Sequence, residues 1–174
     1  TIARRRILWL LILVLANGLT TKVIAMNDQI LREIVLLAAF IPLLIGTGGN
    51  VGAQSSTVVI RGLSTQKIKS LGPIKAVVRE AITGALLGVL MILVVFPFAW
   101  WQGEGPLIAF AVGISLISIT TLAATTCAIL PLLFDRMRLD PALMSSPFIT
   151  TVTDIAGVFI YLSTAKWLLS SSLI

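Results

Sequence analysis

One acidic group stands out in an apolar surrounding. Asp154 lies in Thr150-Thr151-Val152-Thr153-Asp154-Ile155-Ala156-Gly157, inside a stretch long enough to cross a bilayer. A carboxylate at the centre of a spanning helix costs about 2.5–3.5 kcal/mol on insertion scales, so it must face water or the interior of a bundle. There its chemistry is that of an ion or proton site. The structural alternative is an ion pair or hydrogen bond, for example to Lys22 or Arg79. Ser146, Thr150, Asp154, Gly157 and Tyr161 recur at three- and four-residue steps and so share one helix face with Asp154. Ser118, Thr121 and Thr125 form a second stripe, for which hydrogen bonding and close packing between helices is the better reading.

The second chemical feature is the run Gly46-Thr47-Gly48-Gly49-Asn50-Val51-Gly52-Ala53-Gln54-Ser55-Ser56. No Gly-Lys-Ser/Thr follows it and no strand precedes it, so it is not a phosphate-cradling loop. Its backbone carbonyls and the amides of Asn50 and Gln54 are oxygen donors suited to a hard cation or its water shell. Other chemistry is closed off. The chain has no histidine and one cysteine, Cys127, which removes intrachain disulfides, multi-thiolate metal sites and the usual nucleophile–base pairs. An enzyme would have little to work with. Glu80, beside Arg79, reads either as a mouth residue or as half of a local ion pair.

These residues need a scaffold, and the composition specifies it. Of 174 residues, 57% are hydrophobic and 11% charged, with a mean hydropathy of +1.06, which excludes both a soluble globular domain and a disordered chain. The chain is an all-α membrane protein with spans predicted at Ile7–Ala25, Glu33–Leu63, Ala76–Trp100, Pro106–Phe134 and Ser146–Leu169. Arg4, Arg5, Arg6, Arg61, Lys67, Lys69, Lys75, Arg79, Arg136 and Arg138 fall on one side of these five spans. Lys22, Arg32 and Lys166 fall on the other. The bias puts the N-terminus in the cytoplasm and the C-terminus outside a cell membrane. Trp100 and Trp101, before the turn Gln102-Gly103-Glu104-Gly105-Pro106, suit an outer interfacial belt. The net charge of +6 follows this topology and does not point to nucleic acid.

The second span is expected to be broken. Glu33 to Gly46 is 14 residues, about 21 Å of helix against a hydrocarbon core of about 30 Å, and it contains Pro42 before the glycine-rich run. Irregular backbone at that depth requires protein or a wet cavity around it. Gly84 and Gly88 form a Gly-xxx-Gly pair that lets two helices approach closely. No loop is long enough to hold a soluble domain, so residues 1–174 read as a single transmembrane domain. The apolar run after Arg6 is a spanning helix and not a signal peptide, because no small-residue cleavage site follows it. Thr1 in place of Met predicts a piece of something longer.

The run Pro42-Leu43-Leu44-Ile45-Gly46-Thr47-Gly48-Gly49-Asn50-Val51-Gly52-Ala53-Gln54-Ser55, followed by Ile60-Arg61, closely resembles the second-helix signature of the MgtE magnesium channels. Asp140-Pro141-Ala142-Leu143 to Thr153-Asp154-Ile155-Ala156-Gly157 resembles the last membrane helix of the same family. The resemblance implies a homodimer with five membrane helices per protomer and a central pore between protomers. It makes Asp154 the pore aspartate that holds Mg2+ largely through water, with Thr150, Gly49 and Asn50 nearby. Thr150 stands where a smaller residue such as alanine is expected. The resemblance also implies cytoplasmic regulatory domains, including a pair of cystathionine-β-synthase-type modules, in a full-length protein.

The expected activity is conduction of hydrated Mg2+ through a dimeric pore. The alternative is a secondary carrier exchanging Mg2+ for Na+ or H+, because broken helices around a midplane carboxylate also occur in transporters.

Overall fold

The computed structural model describes residues 2–102, 106–138 and 146–172. The turn at Gly103, Glu104 and Gly105 and the Asp140-Pro141-Ala142-Leu143 stretch lie outside the described residues, as do the side chains of Arg4, Arg5, Arg6, Lys69 and Ser146. Everything regular in the described residues is helical: α1 (Ile2–Met26), α2 (Asp28–Glu33), α3 (Val35–Ser64), α4 (Lys67–Leu71), α5 (Pro73–Trp101), α6 (Pro106–Arg136) and α7 (Ser146–Ser172). In hydrocarbon this is the economical arrangement, since a helix satisfies each backbone N–H and C=O within its own segment. α3, α5 and α6, of 30, 29 and 31 residues, are long and apolar enough to cross a membrane. Leu10–Met26 of α1 is a shorter apolar segment, and α7 extends over 27 residues.

α6 is the centre of the bundle. It packs along α5, α3 and α7, α1 leans on α7, and α5 barely touches α3. The largest core cluster gathers Leu37, Phe40 and Leu44 of α3, Leu116 and Ile119 of α6, and Tyr161 of α7. Tyr161 is fully buried and its hydroxyl donates to the Leu37 carbonyl at 3.1 Å, satisfying a polar tip that would otherwise be stranded. Outward-facing residues of α1 and α5, such as Leu15, Leu93 and Val94, are 71–77% exposed, as suits surfaces whose solvent is lipid.

The expected break in the second span is not found. α3 runs without interruption from Val35 to Ser64, through Pro42 and through Gly46–Gly52; the interruption comes earlier, at Ile34, whose extended backbone (φ −131°, ψ 85°) separates α2 from α3. The glycines serve close approach instead. A Cβ on Gly48 would meet Ile119 Cγ2 at 2.7 Å, and one on Gly52 would meet Cys127 Sγ at 2.8 Å. Gly48 and Gly52 thus form a second small-xxx-small seam, and the packing it permits on α6 offsets the cost of about 1 kcal/mol that each helical glycine carries.

The Gly84–Gly88 pair has its partner within the same chain. Added Cβ atoms would collide with Ala124 Cβ and the Thr120 carbonyl at 2.6 Å, and with Thr120 Oγ1 at 2.5 Å, so the pair seats α5 on α6. The basic connection after α3 holds the one-turn helix α4, entered at Gln66 (φ 61°) and left at Gly72 (φ 89°). Gly72 supplies a left-handed backbone that a side chain would strain.

Candidate functional site

Three helices meet where the glycine face of α3 crosses α7. Gly49 approaches α7 so closely that an added Cβ would lie 3.2 Å from Thr150 Cγ2, and Gly52 faces both Thr153 Cγ2 at 3.3 Å and Ile149 Cγ2 at 3.4 Å. The threonine at position 150, bulkier than the expected alanine, is accommodated by the missing side chain of Gly49 opposite. Thr153 donates its hydroxyl to the carbonyls of Thr150 (2.9 Å) and Ile149 (3.2 Å), so the backbone just before Asp154 is already tied down. Gly157, a turn further on, packs against Ile119 of α6. The stripe read from the sequence therefore faces the bundle at Thr150, Gly157 and Tyr161.

Asp154 lies one turn beyond Thr150 and is half-buried in the single chain. Among the described residues the ion pair present is Arg32–Asp28, at 2.6 Å on the surface of α2. Neither Lys22 nor Arg79 neutralises Asp154. Among those residues no group of three or more acidic or cysteine side chains gathers as a metal cage.

Asn50 follows Gly49 and is exposed, on the opposite edge of α3 from the glycine seam. It lines a groove of about 1080 Å³ between α3 and the α4–α5 segment, together with Gln54, Thr57, Arg61 and Glu80. The structure brings Gly49 and Thr150 into contact, flanks them with Asn50 and Asp154, and does not enclose all four in one pocket of a single chain. Ser118, Thr121 and Thr125 donate to carbonyls one turn back on α6, at 2.9, 2.7 and 2.7 Å, so their hydroxyls are spent inside the helix. Glu80 is 6% exposed, opens onto the groove and forms no pair with Arg79.

Cys127, read from the sequence only for the chemistry it excludes, is the floor on which Gly52 rests. The four-residue step from Gly48 to Gly52 carries that information, in the same pattern as Gly84 to Gly88. The groove left no sequence signal, because it arises from how α5 lies away from α3.

A family model described as "Divalent cation transporter" (MgtE) matches residues 41–164. The chain is 37% identical over 166 residues to the magnesium transporter MgtE of Thermus thermophilus, covering 95% of this chain and 37% of that one. It is 34% identical to the magnesium transporter MgtE of Bacillus subtilis and 32% identical to that of Enterococcus faecalis, each over 94% of this chain. The chain thus spans a little over a third of the length of the relatives it matches, 36–37%.

Proposed function

We propose, for a chain that belongs to the MgtE family of divalent cation transporters, that two copies enclose a channel conducting hydrated Mg2+ through the membrane. The five long helices α1, α3, α5, α6 and α7 are its spans, with the N-terminus cytoplasmic and the C-terminus outside. One observation carries the reading: Asp154 lies on α7 one turn beyond Thr150, which Gly49 of α3 approaches closely, with no cation of its own chain paired to it among the described residues. A second copy across a two-fold axis brings a second carboxylate, and a formal charge of −2 faces the +2 of the ion.

Mg2+ demands near-octahedral oxygen coordination and gives up water reluctantly. Binding it through water suits conduction. A direct Mg–O contact is about 2.1 Å, while an interposed water puts carboxylate and ion about 4 Å apart, roughly halving the Coulomb attraction. The ion is held firmly enough to enter and loosely enough to leave. Asp154 supplies the charge, Asn50 an amide to the water shell, and the Gly49–Thr150 contact fixes the distance between the two helices that carry them. Regulatory modules in a longer chain act by moving the α3–α7 pair of one copy against that of the other.

Replacing Asp154 by Asn keeps the shape and removes the charge. Mg2+ uptake into proteoliposomes is expected to fall about tenfold or more, as for loss of a charge-assisted interaction of about 1.5–3 kcal/mol. Unchanged uptake overturns the reading. Single-channel recording separates a channel from a carrier exchanging Mg2+ for Na+ or H+, since only a channel gives unitary currents far above carrier turnover.

A further inference from the structure

The groove between α3 and α5 does not include Asp154, although Asn50 lines its part away from α4, and it has its own polarity. At the end near α4 it is lined by Arg61, Lys67 and Arg79, none of which is ion-paired among the described residues, and the nearest opposing charge in its lining is the single carboxylate of Glu80. Three cations against one acid leave the wall with two uncompensated positive charges. Towards the other end the α5 side turns apolar. Leu87 and Met91 lie eight and twelve residues beyond Arg79, about 12 and 18 Å along the helix.

We infer that this groove is a binding site for an anionic phospholipid, its phosphate held by Arg61, Lys67 and Arg79 and an acyl chain lying along Leu87 and Met91. Arginine presents a planar fork that matches phosphate oxygens, and two arginines and a lysine line this groove. A metal cation is disfavoured at this basic end by its net positive wall. A free anion would satisfy the charge and leave the long apolar stretch uncovered, whereas a lipid satisfies both. Under the proposed topology the cationic mouth opens to the cytoplasmic leaflet, where anionic headgroups are drawn to basic pockets between helices. Glu80 leaves the wall with a net charge of +2, room for a phosphate charge.

The test is native mass spectrometry of the purified chain, released from nanodiscs containing equal amounts of phosphatidylglycerol and phosphatidylcholine. Phosphatidylglycerol should be retained in preference. The double variant Arg61→Gln/Arg79→Gln should retain about thirtyfold less of it, at roughly 1 kcal/mol per basic side chain near a headgroup. Arg61→Lys/Arg79→Lys should keep most of the retention, and Arg32→Gln, on α2 away from the groove, should change nothing. Equal retention of the two lipids by the unaltered protein overturns the inference without reference to any variant. So does a glutamine variant that holds phosphatidylglycerol as the parent does, or displacement of the lipid by excess inorganic phosphate. None of these results bears on ion flux at Asp154, so the two proposals fail separately.

Discussion

Gly49 and Thr150 act as one fitted pair, and a fitted pair has a signature that single substitutions lack. Gly49→Ala places a methyl 3.2 Å from Thr150 Cγ2, tighter than comfortable contact, so α3 and α7 must part by a few tenths of an ångström. Overpacking of this kind costs typically about 1–3 kcal/mol. Thr150→Ala removes the opposing methyl. The expected outcome is that Gly49→Ala lowers both thermal stability and Mg2+ uptake, and that the double variant Gly49→Ala/Thr150→Ala regains most of both, a coupling measurable by a double-mutant cycle. Additive losses would mean that the two residues do not set the spacing. Asp154 stood out in the sequence as the candidate chemical centre, because an acid is too costly to keep in an apolar run unless water, an ion or a polar partner meets it there. The role of Thr150 did not, since its fit depends on a glycine a hundred residues earlier in the chain.

At the level of the helix, the unbroken course of α3 divides its glycines into two kinds. Nothing lies within 4 Å of a Cβ on Gly46, whereas one on Gly48 meets Ile119 at 2.7 Å. Gly46→Ala should therefore gain about 0.5–1 kcal/mol by restricting the unfolded chain and favouring the helix, while Gly48→Ala should lose stability by overpacking. Thermal denaturation in detergent reads both signs. A loss on Gly46→Ala would show that the backbone there leaves the helix in some state of the protein. The sequence suggested a break because a 14-residue run too short to span, holding Pro42, led into several glycines, and proline and glycine are the strongest local breakers. The seam at Gly48 and Gly52 was visible in the same letters as four-residue spacing, and the packing it makes with Ile119 and Cys127 decided between the two meanings.

For the molecule as a whole, the charge bias predicts a sidedness that labelling can read. Cys127 is fully buried against α3, so the native chain offers little background to a membrane-impermeant maleimide. Ser70→Cys on α4 should be modified only from the cytoplasmic side and Asn27→Cys, between α1 and α2, only from the outer side; the reverse pattern would invert the proposed topology. The membrane setting followed from composition, because a chain this apolar has no other stable environment, and the helical class from apolar runs of spanning length. The order of packing around α6 did not, since it depends on which small residues meet which partners across the bundle. One tie has a mechanical meaning. Tyr161 lies eleven residues past Thr150 on α7 and Leu37 twelve before Gly49 on α3, so the hydroxyl bond and the glycine crossing clamp these antiparallel rods at two heights about 17 Å apart. A beam bolted twice cannot pivot about either bolt: in the proposed dimeric channel, whatever opens or shuts the conduit must swing the α3–α7 pair as a rigid strut against its counterpart.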